Sequence, residues 1–256
     1  MQTGGRTMGL FLSLAALSAF SFLPAGASVL LRCGLSACLR FSPRAALALS
    51  SIAALSACAA MLLGRGGLRA VPIQQRAPVT LAAFGGGTAG RMLLLMFTAR
   101  FSGSLELAQA QAIPLLLLAL AAAFSHRLPL PSSKAGLFTF ALLCSACDGF
   151  FGCGSAALFL FFGKRGVRRR LAFPQGAALL CGIVAQFFAL LLTLFSGAAQ
   201  VFPSQMLLAL SAASALGGVI FEKTKKRGTA QRGLRIALCV YMLLAASAGI
   251  EQAFLD

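Results

Sequence analysis

Long apolar runs alternate with short basic gaps along the whole chain. A membrane-spanning helix needs about 20 predominantly apolar residues. Eight stretches meet that need, roughly 8–31, 45–63, 77–97, 105–124, 135–162, 171–197, 201–221 and 234–254. Ala45–Leu63 and Leu171–Gly197 carry no charge, whereas 105–124 is interrupted by Glu106, Gln109, Gln111 and Pro114. Residues 198–200 alone separate the sixth and seventh runs, which predicts a tight hairpin. Arg6, the apolar stretch Met8–Leu23 and Ala25-Gly26-Ala27 have the outline of a cleavable signal peptide. Apolar character continues through Val29–Leu31, however, and the segment has a counterpart later in the chain, so it reads as a retained first span.

In that counterpart, Ser21–Ser28 lines up with Gly149–Ala156 at an offset of 128, half the chain. Gly86-Gly87 corresponds to Gly217-Gly218 at an offset of 131. The expected fold is therefore an all-α integral membrane protein of about eight transmembrane helices. They divide into two four-helix repeats, residues 1–128 and 129–256, each with the same topology.

Composition sharpens this picture. The chain is 59% hydrophobic and 11% charged, with mean hydropathy +0.90, against about 25% charged in a soluble domain. A water-soluble globule, a collagen, a coiled coil and a disulfide scaffold are all excluded. Lys and Arg number 22 against 5 Asp and Glu, a balance that in a soluble protein suggests nucleic acid. Here the cations cluster between apolar runs, where they set orientation and meet anionic head groups. The expected partners are thus the lipid bilayer and no nucleic acid. The gaps after spans one, three, five and seven hold about 15 basic residues, the other gaps and the termini about 6. The positive-inside rule then puts both termini outside a multi-pass plasma-membrane protein, with Lys164–Arg170 and Lys223–Arg235 cytoplasmic. Arg91, in the cytoplasmic third of span three, is expected to snorkel outward or to pair with Glu106.

Span five carries the strongest chemical signal. Its 28 residues would run about 42 Å as a straight helix, longer than a hydrocarbon core of about 30 Å. Within it stands Asp148-Gly149-Phe150-Phe151-Gly152-Cys153-Gly154-Ser155. Three glycines weaken a helix by roughly 1 kcal/mol each, and a carboxylate in the membrane needs a compensating role. This predicts a broken helix whose second half, from about Gly154, offers free backbone N–H groups to an anion. Pro24 and Gly26 break span one in the same way and leave Ser28 at a half-helix start. Paired interruptions of this kind mark midplane substrate sites. The expected binding residues are Asp148, Gly149, Phe150, Gly152, Gly154 and Ser155, facing Pro24, Gly26 and Ser28. Asp148 would cap the half-helix or carry a coupled proton.

The stretch Asp148–Ser155 resembles the Asp-Gly-Phe-Phe-Gly-Pro-Gly-Thr-Gly segment of the TauE/SafE sulfite-exporter family of membrane permeases. Phe84-Gly85-Gly86-Gly87-Thr88-Ala89-Gly90 is similar to that family's Gly-rich third helix. The resemblance extends to length, span count and repeat plan, although the specific motif covers fewer than ten residues. It implies a secondary transporter, an exporter or permease, of small anions such as sulfite or organosulfonates, and a homo-oligomer is compatible with it. The family's proline is Cys153 here, its Thr-Gly is Ser155-Ala156, and Pro24-Ala25-Gly26-Ala27-Ser28 replaces the glycine cluster of its first repeat.

Two rival readings compete. Cys144 and Cys147, one helical turn apart, would suit a membrane thiol oxidoreductase; the eight cysteines otherwise read as buried thiols in apolar runs. A non-transporting membrane scaffold would fit the altered first motif. His126 reads as a solvated loop residue. No Ser/His/Asp set, zinc motif, Walker loop or dinucleotide fingerprint occurs, so no enzyme activity, metal or cofactor is expected.

Overall fold

The computed structural model describes residues 43–100, 134–151, 175–196 and 204–225. The described residues form five α-helices and contain no strand: α1 Pro43–Gly64, α2 Ile73–Arg100, α3 Lys134–Phe151, α4 Gln175–Phe195 and α5 Ser204–Lys225. A short 3-10 turn, Gly67–Ala70, lies between α1 and α2. These helices fall on five of the apolar runs. The runs at 8–31, 105–124 and 234–254 lie outside the described residues, as do Glu106 and His126. Among the described residues, two helices are long and apolar enough to cross a membrane, over Ile73–Phe97 and Gly176–Phe195.

Helix α1 opens on Pro43, whose fixed φ and missing N–H suit a first helical turn. It ends at Gly64, and the chain turns through Gly66 and Gly67 at φ 91° and 65°. That left-handed region costs other residues about 1–2 kcal/mol. Arg76 then ties the first turn of α2 to the connector: its Nε donates to the Val71 carbonyl at 3.1 Å and its Nη2 to that of Leu68 at 2.8 Å. The corner makes α1 and α2 antiparallel, and Arg91, far along α2, reaches Ser51 in the first half of α1.

Close backbone approach sets the register of the next three helices. A side chain at Gly86 would meet the Leu142 carbonyl and Ser145, and one at Gly90 would meet Ala146 and Phe150. On the other side of the contact, Gly149 abuts Gly87 and Arg91. Rising numbers on α2 thus meet rising numbers on α3, so the two run parallel. Gly176 faces Ala70 and Gly87 faces Ala185, which makes α4 parallel to α2 as well. Ser145 against Cys181, and Asp148 against Gln186, give the same sense for α3 and α4. Small residues at these crossings are what let membrane helices approach closely. Helix α5 packs on α1, where a side chain at Gly218 would stand 2.6 Å from the Ala57 carbonyl.

One sequence expectation changes here. Runs 135–162 and 171–197 were expected as successive, oppositely directed spans around Lys164–Arg170. The contacts make α3 and α4 parallel instead, and residues 152–174 between them lie outside the described residues. Moreover, α3 stays helical through Asp148 and Gly149 to Phe151; Gly152, Gly154 and Ser155 lie outside the described residues, as do Pro24, Gly26 and Ser28.

The described core is mainly apolar, yet large apolar side chains also line the outside and two charges lie within. Ile73, Leu81, Met96, Leu208 and Phe195 are exposed, Phe195 by 84%. Arg91 and Asp148 are each only 1% exposed. Buried charge and exposed large apolar groups are the informative exceptions to the usual burial rule.

Candidate functional site

The site is where α1, α2, α3 and α4 meet. Its first member follows from helix length. Helix α2 extends to Arg100, nine residues past Arg91, which sets Arg91 about 14 Å from that end at 1.5 Å per residue. From there the guanidinium does not snorkel out; it turns inward and its Nη2 donates to Ser51 Oγ of α1 at 2.9 Å. This corrects the expected outward course of the side chain.

Asp148 enters from α3. Its neighbour Gly149 has no side chain, so α3 lies directly against the Gly87–Arg91 turn of α2, with the Arg91 backbone nitrogen 3.0 Å from where a Cβ would stand. Asp148 and Arg91 are therefore delivered to one contact by the same glycine. The described core holds these two charged side chains, of opposite sign. Removing one member of a buried pair of opposite charges leaves the other uncompensated, at a cost of about 3–5 kcal/mol.

Gln186 completes the arrangement from α4. Its Nε2 donates to the Asp148 backbone carbonyl at 3.2 Å. One turn earlier, Ser145 Oγ and Cys181 Sγ lie 3.0 Å apart. The thiols of Cys58 on α1, Cys147 on α3 and Cys181 on α4 are all within electrostatic reach of the Asp148 carboxylate. Ser51, Cys58 and Gln186 sit well inside their helices, so the cluster lies away from the bundle ends.

Of the residues picked from the sequence, Asp148 and Gly149 are in this cluster. Phe150 is turned away: it packs on Leu94 and meets Phe97 edge-on at 5.9 Å. Cys144 is buried among core side chains and Cys147 is half-buried, with no disulfide between them. Ser51 and Gln186 are additions that the sequence reading missed. Gln186 had a signal, as the one side-chain amide inside the apolar stretch 176–195. Ser51 had none, being one of several serines on α1. No family model matches the chain, and neither does any curated protein or solved structure.

Proposed function

We propose that the chain is a multi-pass protein of the plasma membrane that moves a small anion, sulfite or an organosulfonate, as a secondary transporter. The observation that carries this reading is the pair of opposite charges, Arg91 and Asp148, enclosed in a helical bundle whose outer face is apolar. Ionisable residues at such depth face bundle interiors and mark ion or substrate pathways. Asp148-Gly149-Phe150-Phe151 is also the part of the TauE/SafE-like motif that lies in described residues. The proposed cycle breaks no covalent bond and calls for no cofactor.

The eight-span, two-repeat plan is part of the proposal, and contacts between helices support it. Gly87 on α2 faces Ala185 on α4, and Gly218 on α5 faces Ala57 on α1. Exchanging the repeats maps Gly87 onto Gly218 and Ala57 onto Ala185, at the offsets 131 and 128 read from the sequence. Since α1 and α4 run in opposite directions, the repeats would be inverted rather than alike in topology. Inverted repeats around a midplane site are a recurrent transporter plan. Strict alternation is the premise that places both termini outside; parallel α3 and α4 remove that premise, and the proposal keeps the multi-pass membrane location alone.

The test is uptake of labelled sulfite by proteoliposomes under imposed pH gradients, with sulfoacetate and sulfate as competitors. Saturable, protein-dependent uptake is expected. Absence of flux for all three anions, with the protein folded and inserted, would overturn the reading.

A further inference from the structure

Gln186 is 2% exposed and has one end of its amide committed to the Asp148 backbone. The other end, Oε1, is enclosed, and no donor among the described residues reaches it. A buried acceptor left without a donor is costly, so native structures supply one. The groups around Asp148 are Arg91 from α2, Cys58 from α1, Cys181 and Gln186 from α4, and Cys147 on its own helix. Arg91 donates to Ser51 through Nη2 and keeps other N–H groups, none of which reaches Gln186 Oε1; Cys181 is engaged with Ser145, and thiols are weak donors. A carboxyl group gains a strong O–H donor only when it is protonated. The residue that already holds the amide end of Gln186 is the one that can supply it.

Resting on the transport reading, we infer that Asp148 is the proton-binding group that couples anion movement to protons, and that Gln186 is its positioning residue. As a carboxylate, Asp148 offsets the charge of Arg91 and the cluster is neutral. One proton converts it to the carboxyl form, whose O–H is donated to Gln186 Oε1. The cluster then carries the single positive charge of Arg91 and accepts one monovalent anion. Proton and anion cross together, and release of both restores the neutral cluster. A hydrogen bond to the protonated form favours that form, so Gln186 sets the pH at which coupling operates.

The test is infrared difference spectroscopy of the full chain in lipid, titrated through pH, together with the pH profile of sulfite uptake. The wild type should show a protonated-carboxyl stretch that Asp148→Asn removes. Gln186→Leu should move that band to higher frequency, because the carboxyl loses its acceptor. It should also shift both the titration and the uptake profile to lower pH by about one unit, tenfold in proton concentration. Gln186→Asn, which withdraws the amide by one methylene, should shift both in the same direction and covers the case in which the leucine variant does not fold. No titrating band that depends on Asp148, or a band and midpoint unmoved in both Gln186 variants, overturns the inference. An intact band response in a wild type that moves no sulfite would instead overturn the transport reading and leave the Asp148–Gln186 pair standing.

Discussion

At the scale of single residues, the argument turns on which charges the bundle encloses. Asp148 is legible in the sequence, because a carboxylate inside a long apolar run needs a reason to be there. Arg91 is legible as a charge but not as a buried one. The apolar run around it ends near residue 97, while the helix continues to Arg100 and so sets Arg91 deeper than the run suggests. Ser51 and Gln186 become meaningful only when four helices converge, which no local pattern specifies. If Arg91 and Asp148 compensate each other, Arg91→Leu alone should destabilise the protein by about 3–5 kcal/mol, since it leaves a buried carboxylate without its counter-charge. Adding Asp148→Leu should return most of that loss. Unfolding of both variants in detergent micelles checks this; a double variant no more stable than Arg91→Leu would mean that the two charges act independently.

Helix existence was readable from the apolar runs at the scale of elements, yet helix packing was not. Gly85, Gly86 and Gly87 are consecutive, so their positions fan over about 200° of α2, and sequence alone does not say which one a neighbour touches. The contacts separate them. A Cβ at Gly85 would meet only Leu142 Cδ1, at 3.9 Å, which is ordinary contact. At Gly86 it would run into the Leu142 carbonyl on the α3 backbone, which cannot swing aside as a side-chain tip can. Gly85→Ala should therefore be neutral or stabilising by up to about 1 kcal/mol through helix propensity. Gly86→Ala should destabilise by roughly 1–3 kcal/mol as the helices are forced apart. Comparing the two denaturation midpoints is a direct check, and equal effects of the same sign would contradict the α2–α3 register. Of the interruption expected over Asp148–Ser155, the part up to Phe151 is helical and the rest lies outside the described residues.

The molecule as a whole is constrained most by direction. Counting basic residues presumes that each apolar run crosses opposite to the last, and this is what made 135–162 and 171–197 an antiparallel pair. The backbone contacts instead bring the start of α4 beside the start of α2, with a Cβ at Gly176 placed 3.0 Å from that of Ala70. Under strict alternation these two positions fall on opposite faces of the bilayer, separated by a core of about 30 Å. They consequently make a decisive pair for cross-linking. A spread of under 1 Å brings them to the usual disulfide Cβ separation of about 3.8 Å. Ala70→Cys combined with Gly176→Cys should form an intramolecular disulfide under mild oxidation in the membrane, identified by mass spectrometry of the digested chain. Neither single variant should give that linked peptide. Failure of the double variant to cross-link while its helices remain folded would restore alternation. It would also remove the inverted relation of α1 to α4, because that relation depends on α4 running in the same direction as α2.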